Sequence, residues 1–259
     1  MISNELAKSE KILGVTFFNG SPEEAVKKIK TGGYVVVPAA PALVTMPHDS
    51  LYTKALVKSD MAIADSRYMT TLWLLFRGKR LRRISGLTFL MQFLKLPDLK
   101  MHGSLFLVNP NDEEAFANKS YLESQGIYIS DGFSYIAPMY GRDIKDQLLV
   151  NKLERLKPQY ILLNIGGGQQ EKLALYLIEN LSYKPSIVCT GAAIAFLSGK
   201  QASIPTWVDR VGLGWLWRCF ENPRKFVPRY LSALSLAKLM FRYGALPPQL
   251  NRNKSSHEI

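Results

Sequence analysis

Cysteine and histidine are scarce in this chain. Two cysteines, Cys189 and Cys219, and three histidines occur among 259 residues, and no CxxC pair is present. That excludes a disulfide scaffold and leaves a zinc site without its usual ligands. Two thiols fit a reducing compartment. Long apolar runs are lacking too, since nothing approaches the roughly 20 residues that a bilayer-spanning helix needs. The opening residues are polar and Glu5 intrudes early, so no signal peptide is expected. The chain shows no internal repeat, no Ser-His-Asp order, no GxGxxG and no Walker lysine. Acidic residues are the last deficit. Asp and Glu number 21 against 33 Lys and Arg, a formal charge of +12. Such an excess favours an anionic partner: nucleic acid, an anionic membrane surface or a phosphorylated substrate. Binding to nucleic acid rests on charge alone, because no recognition motif accompanies it.

What is present is the composition of a globular chain, 47% hydrophobic and 21% charged. Strand and helix patterns alternate. Residues 11–18 read as a strand. Ser21-Pro22-Glu23-Glu24 opens a helix with a cap, a first-position proline and first-turn acids. Strands are expected at 34–37, 59–65, 103–108, 126–130, 159–165 and 186–190. Helical patterns separate them, the one at 41–57 interrupted by Pro47. This grammar predicts βαβ units and a mostly parallel, Rossmann-like sheet covered on both faces. After about residue 205 the strands stop and short helical patterns carry tryptophan beside arginine. The expected division is an α/β core at 1–204, a helical basic and aromatic appendage at 205–246 with one long helix at 223–242, and a disordered tail at 247–259.

In an open α/β sheet, chemistry gathers at the carboxyl ends of the strands, where helix N-termini also point. Asp65 ends the 59–65 strand, and the run Arg77 to Arg83 arrives one helix later. Asp65 is a candidate general base; the plainer alternative is that it caps the following helix. Asp131 is a second candidate, or a turn residue before Gly132. Gly166-Gly167-Gly168 and Gly191-Ala192-Ala193 follow strands and open helices, so their N–H groups can cradle a diphosphate or merely make tight turns. Trp207 and Trp215 among Arg218, Arg224 and Arg229 suit a membrane interface, with a helix pair packed on the sheet as the plainer alternative.

Several stretches together resemble the WecG/TagA/CpsF family, glycosyltransferase family 26. They are residues 191–199 with Pro205-Thr206-Trp207, residues 212–218, Glu221-Asn222-Pro223-Arg224-Lys225, and Arg229-Tyr230-Leu231. Ala64-Asp65, Arg83-Ile84-Ser85-Gly86, Asp131-Gly132-Phe133 and Gln170-Glu171 fall in the family's order upstream. The resemblance implies an inverting transferase that moves a sugar from a UDP-sugar to a polyprenyl-diphosphate-linked sugar. It would be peripheral on the cytoplasmic face of the membrane, in cell-surface polysaccharide synthesis, with no metal or other cofactor. It implies Asp65 as general base and Arg83 and Gln170 as substrate contacts. Gly132, Phe133, Gly166, Gly168, Gly191 and Ala192 would line the nucleotide pocket. Arg218, Arg224 and Arg229 would meet the lipid diphosphate, with Trp207 and Trp215 at the membrane. A homo-oligomer is left open. The chain departs from the family pattern at Val37-Pro38-Ala39, where Thr-x-Asn is usual, at Gly168-Gln169 within the glycine loop, at Ile194-Ala195 and at Gly214. Those departures motivate an alternative: a catalytically impaired relative acting as scaffold or regulatory subunit of a polysaccharide assembly complex.

Overall fold

The computed structural model describes residues 9–191, 193–199 and 223–250. Eight strands form one sheet in the order β1-β2-β4-β3-β8-β7-β5-β6. They are β1 (Ser9–Ile12), β2 (Val15–Phe18), β3 (Gly33–Val36), β4 (Met61–Ala62), β5 (Leu105–Asn109), β6 (Ser134–Ile136), β7 (Tyr160–Leu163) and β8 (Ser186–Cys189). Every pairing is parallel except β1 with β2. Strands β3, β5, β7 and β8 are buried along their whole length, as strands covered on both faces must be. The expected parallel, Rossmann-like α/β fold is therefore present.

The helices begin where their caps dictate. In α1 (Pro22–Ile29), Ser21 Oγ accepts from Glu24 N, and Glu24 returns the bond by accepting from Ser21 N at 2.8 Å. Pro47 breaks the next pattern as expected, into α2 (Ala40–Leu43), a 3₁₀ turn at Met46–His48, and α3 (Ser50–Val57). There follow α4 (Arg67–Arg77), α5 (Gly86–Phe93), α6 (Asp112–Ser124), α7 (Gln147–Leu156), α8 (Gln169–Asn180) and α9 (Ala193–Leu197).

Four expectations are corrected. Residues 11–18 are a hairpin rather than one strand. Leu13 and Gly14 take φ of +52° and +81° and make a two-residue turn between Ile12 and its partner Val15. Leu13 can hold that conformation because it is fully buried, and because Leu13 N and Gly14 N donate to Gly244 O and Ala245 O at 2.8 and 3.0 Å. Residues 126–130 are not a strand; the edge strand is β6, further on. Ile127 and Ile129 do bury their side chains, but the ladder begins only after Phe133 O accepts from Leu107 N at 2.9 Å. The long helix expected at 223–242 is two, α10 (Pro223–Ala233) and α11 (Ser235–Tyr243). Pro247, expected to open a loose tail, packs against Gly14; residues 251–259 lie outside the described residues.

The C-terminal helices lie over α2 and α4, the two helices that leave the carboxyl ends of β3 and β4. Tyr68 Oη donates to Leu234 O at 3.4 Å, and the rings of Phe76 and Phe241 meet edge to face at 5.7 Å. Among the described residues no helix is long and apolar enough to cross a membrane.

Candidate active site

Strand β4 is short, but its line continues. Ile63 N donates to Val36 O at 2.8 Å and Ile84 N donates to Ala64 O at 3.0 Å. Asp65 is the next residue. It is not the helix cap: Ser66 Oγ accepts from Met69 N at 3.2 Å and does that work for α4. The Asp65 carboxylate is thereby released from a capping role. Arg83, eighteen residues on, returns to it. Its Nε donates to Asp65 O at 2.7 Å and its Nη2 stands 3.6 Å from Asp65 Oδ1. The side chains are 39% and 27% exposed, so the pair is held yet open to a ligand. Asn19, just past β2, secures the returning segment. Its amide donates to Arg80 O at 3.0 Å and accepts from Arg82 N at 2.8 Å. Sequence reasoning missed Asn19; its only signal was a polar residue directly after a buried strand.

Across β3 the same edge carries the glycine loops. With strands about 4.8 Å apart, the end of β8 lies about 10 Å from that of β4. The space around Gly166 and Gly167 is open, and Gly168 takes φ of +91° before α8, a conformation that side chains resist. Glu171 reaches back to accept from Gly168 N at 2.6 Å. Gln170 Nε2 donates to Glu171 Oε1 at 3.2 Å, while Gln170 Oε1 accepts from Gly191 N at 2.7 Å. Gln170 is 3% exposed and links the two loops from inside. Burial holds the Glu171 carboxyl above its ordinary value and, with Glu171 nearby, pushes the Cys189 thiol up. The Thr190 hydroxyl and Asn164 Oδ1, just past β8 and β7, are buried without a partner among the described residues.

Strand β5 leads to β6 on one side and β7 leads to β8 on the other, so the topological switch falls between β5 and β7. A buried amide cluster stands there. Asn109 Oδ1 accepts from both Asn118 Nδ2 and Asn164 Nδ2 at 2.9 Å.

Gly132 and Phe133 do not join this edge. They precede β6 and therefore lie at the amino end of the sheet, where the Phe133 ring packs on Phe106 and beside Gly103. The loop that does follow β6 was not anticipated. Gln169 Nε2 donates to Tyr140 O and Gly141 O at 3.4 and 3.3 Å, which sets Tyr140 and Gly141 beside the glycine loop. Asp146 anchors it by accepting from Tyr140 Oη at 2.6 Å and from Tyr135 Oη at 3.0 Å. Burial and then Asp146 raise both phenols, Tyr135 to about 12. The β6 strand is three residues long, too short to announce the loop.

Arg224 is exposed in the first turn of α10. Arg229 lies in α10, but its side chain lies outside the described residues, as do Ala192, Trp207, Trp215 and Arg218. Among the described residues no group of three His, Cys, Asp or Glu is placed to hold a metal ion.

A mostly parallel sheet with a partly open carboxylate–arginine pair and glycine loops at one edge defines a Rossmann-like α/β protein with its candidate site at the strand ends. The family described as "Glycosyl transferase WecG/TagA/CpsF family" matches residues 10–249. The chain belongs to that glycosyltransferase family. Two relatives from Staphylococcus aureus, strains MRSA252 and MW2, are named N-acetylglucosaminyldiphosphoundecaprenol N-acetyl-beta-D-mannosaminyltransferase. Each is 22% identical to this chain over 243 residues, covering 88% of it and 92% of the relative.

Proposed function

We propose that this protein is an inverting glycosyltransferase. It moves a sugar from a UDP-sugar to a polyprenyl-diphosphate-linked sugar on the cytoplasmic face of the membrane, in cell-surface polysaccharide synthesis. The observation that carries the reading is Asp65, a half-open carboxylate at a strand end whose helix is capped by its neighbour Ser66. In the reaction Asp65 takes the proton of an acceptor hydroxyl. That oxygen bonds to the anomeric carbon, and the bond from carbon to the UDP phosphate oxygen breaks, its electron pair leaving with UDP. Attack opposite the leaving group inverts the centre. Arg83 holds Asp65 in place and presents a cation beside it. The Gly166 loop, backed by the N-terminus of α8, suits the charge gathering on UDP, and the Gly191 loop lines the nucleotide beside it, its Gly191 N being spent on Gln170.

The relatives' name supports an N-acetylmannosamine-type donor and an N-acetylglucosaminyl-diphosphate lipid acceptor; glucose or a related sugar is the other donor to test. The test is UDP release from a panel of UDP-sugars, with and without a short-chain polyprenyl-diphosphate sugar. Acceptor-dependent release from one donor is the expected result, and no release from any donor by folded protein overturns the reading. A second reading, a non-catalytic scaffold or regulatory subunit, draws on the apolar end of β3. There Val37 is packed on Gly86 and Pro38 and Ala39 offer no side-chain polar group. That reading predicts folded protein that binds its assembly partners without turnover.

A further inference from the structure

The excess positive charge is confined to two stretches. Residues 67–83 and 223–250 carry six and five Lys or Arg and no Asp or Glu, leaving 22 cations against 21 acids in the remainder of the chain. These stretches are distant in sequence but packed together in the fold, through Tyr68 on Leu234, Phe76 on Phe241, and the Arg77 guanidinium against Gly244. Along their seam runs an exposed apolar ridge. Leu75 on α4 is 71% exposed and Phe241 on α11 is 74% exposed, with Leu231 and Leu234 nearly as open. Leu75 lies seven residues after Tyr68 and so shares its side of the helix. Val227, Leu231 and Leu234 follow one another at helical spacing. Exposed Arg77, Lys79, Arg80, Lys238 and Arg242 flank the ridge; of these Lys79 also meets Glu10 at 3.2 Å.

We propose that α4 and the basic run after it form, together with α10 and α11, one docking surface for an anionic phospholipid bilayer. This deepens the reading above, on which it rests for the origin of the lipid. The family resemblance gives membrane contact to the C-terminal appendage alone; the geometry assigns half of it to residues 67–83. An apolar ridge between rows of cations is the complement of acyl chains below phosphate headgroups. The arrangement also has a direction, because the basic run ends at Arg83, against Asp65. Docking through this surface sets the carboxylate at the edge of the membrane, where a lipid-borne sugar stands.

The test uses the full chain and vesicles of phosphatidylcholine, with or without phosphatidylglycerol, at about 0.1 M salt. Two variants are compared with the parent: Leu75→Ser, and Lys79→Gln with Lys238→Gln. Parent protein is expected to sediment with the anionic vesicles only. Each variant is expected to bind them about tenfold or more weakly, while releasing UDP normally with a water-soluble, short-chain acceptor. Parental vesicle binding by both variants overturns the proposal. So does a parent that sediments as a dimer and a leucine variant that sediments as a monomer, since the ridge then pairs with a second copy. Vesicle binding that discriminates the variants, with no UDP release from the parent, upholds the surface and overturns the transferase reading.

Discussion

The two ends of the carboxyl edge are built in opposite ways. At β4 the candidate groups are side chains: Asp65 and Arg83, both partly open, meeting at 3.6 Å, with the Arg83 Nε spent on backbone. After β7 the exposed groups are the backbone of Gly166 and Gly167, and the polar side chains Gln170 and Glu171 are buried behind them. The difference separates two tasks. A proton acceptor needs a titratable side chain in reach of solvent and substrate. On the proposed reading a phosphate cradle needs loops of fixed shape, and Glu171 and Gln170 fix them by accepting from Gly168 N and Gly191 N, two N–H groups that are thereby spent on the protein itself.

The largest expected effect comes from striking the open end. Asp65→Asn is expected to lower transfer by about 10²–10⁴-fold. Its melting temperature should change little, because a partly exposed ion pair contributes at most about 1 kcal/mol. Initial-rate assays beside thermal melts check this; a fully active variant removes Asp65 from the mechanism. At the buried end the balance reverses. Gln170→Ala leaves Gly191 N without its acceptor and is expected to cost about 1–3 kcal/mol of stability, with a raised KM for the donor and a smaller change in kcat. Equal losses of kcat and unchanged KM place Gln170 against the transition state instead. Ser66→Ala sharpens the contrast at the open end. It removes the α4 cap and is expected to cost about 1 kcal/mol in denaturant melts, where Asp65→Asn costs less. The smallest effect is one of pH. The Glu171 carboxyl is raised by burial, so the stability it contributes is complete below its ordinary value of 4.5 and is lost as pH rises through the raised value. Glu171→Gln is expected to flatten the fall in melting temperature above that pH; an unchanged slope assigns the fall to other groups.

Much of this edge was legible because its signals are local. The strand ending in Asp65, the arginine run after one helix, and the Ser21 cap all follow from residues within about one helix of each other. The misses are non-local. Asp131-Gly132-Phe133 looked like the end of a strand, because Ile127 and Ile129 alternate as strand residues do. Which stretch pairs with β5, however, is decided by Phe133 settling on Phe106, and no nearby residue announces that contact. Gln170 was recognisable as a site position, but its amide serves a loop 21 residues away. The turn at Leu13 was hidden because a leucine rarely tolerates positive φ; here the C-terminal segment holds it there.

That last contact has a mechanical meaning. The bonds from Leu13 and Gly14 to Gly244 and Ala245, with Pro247 laid on Gly14, moor the downstream end of α11 to the first hairpin of the sheet. The last helix of the described chain is thus latched to its first hairpin, while α10 and α11 also rest on α2 and α4, so the beginning and the end of the chain clasp one another across the site's edge.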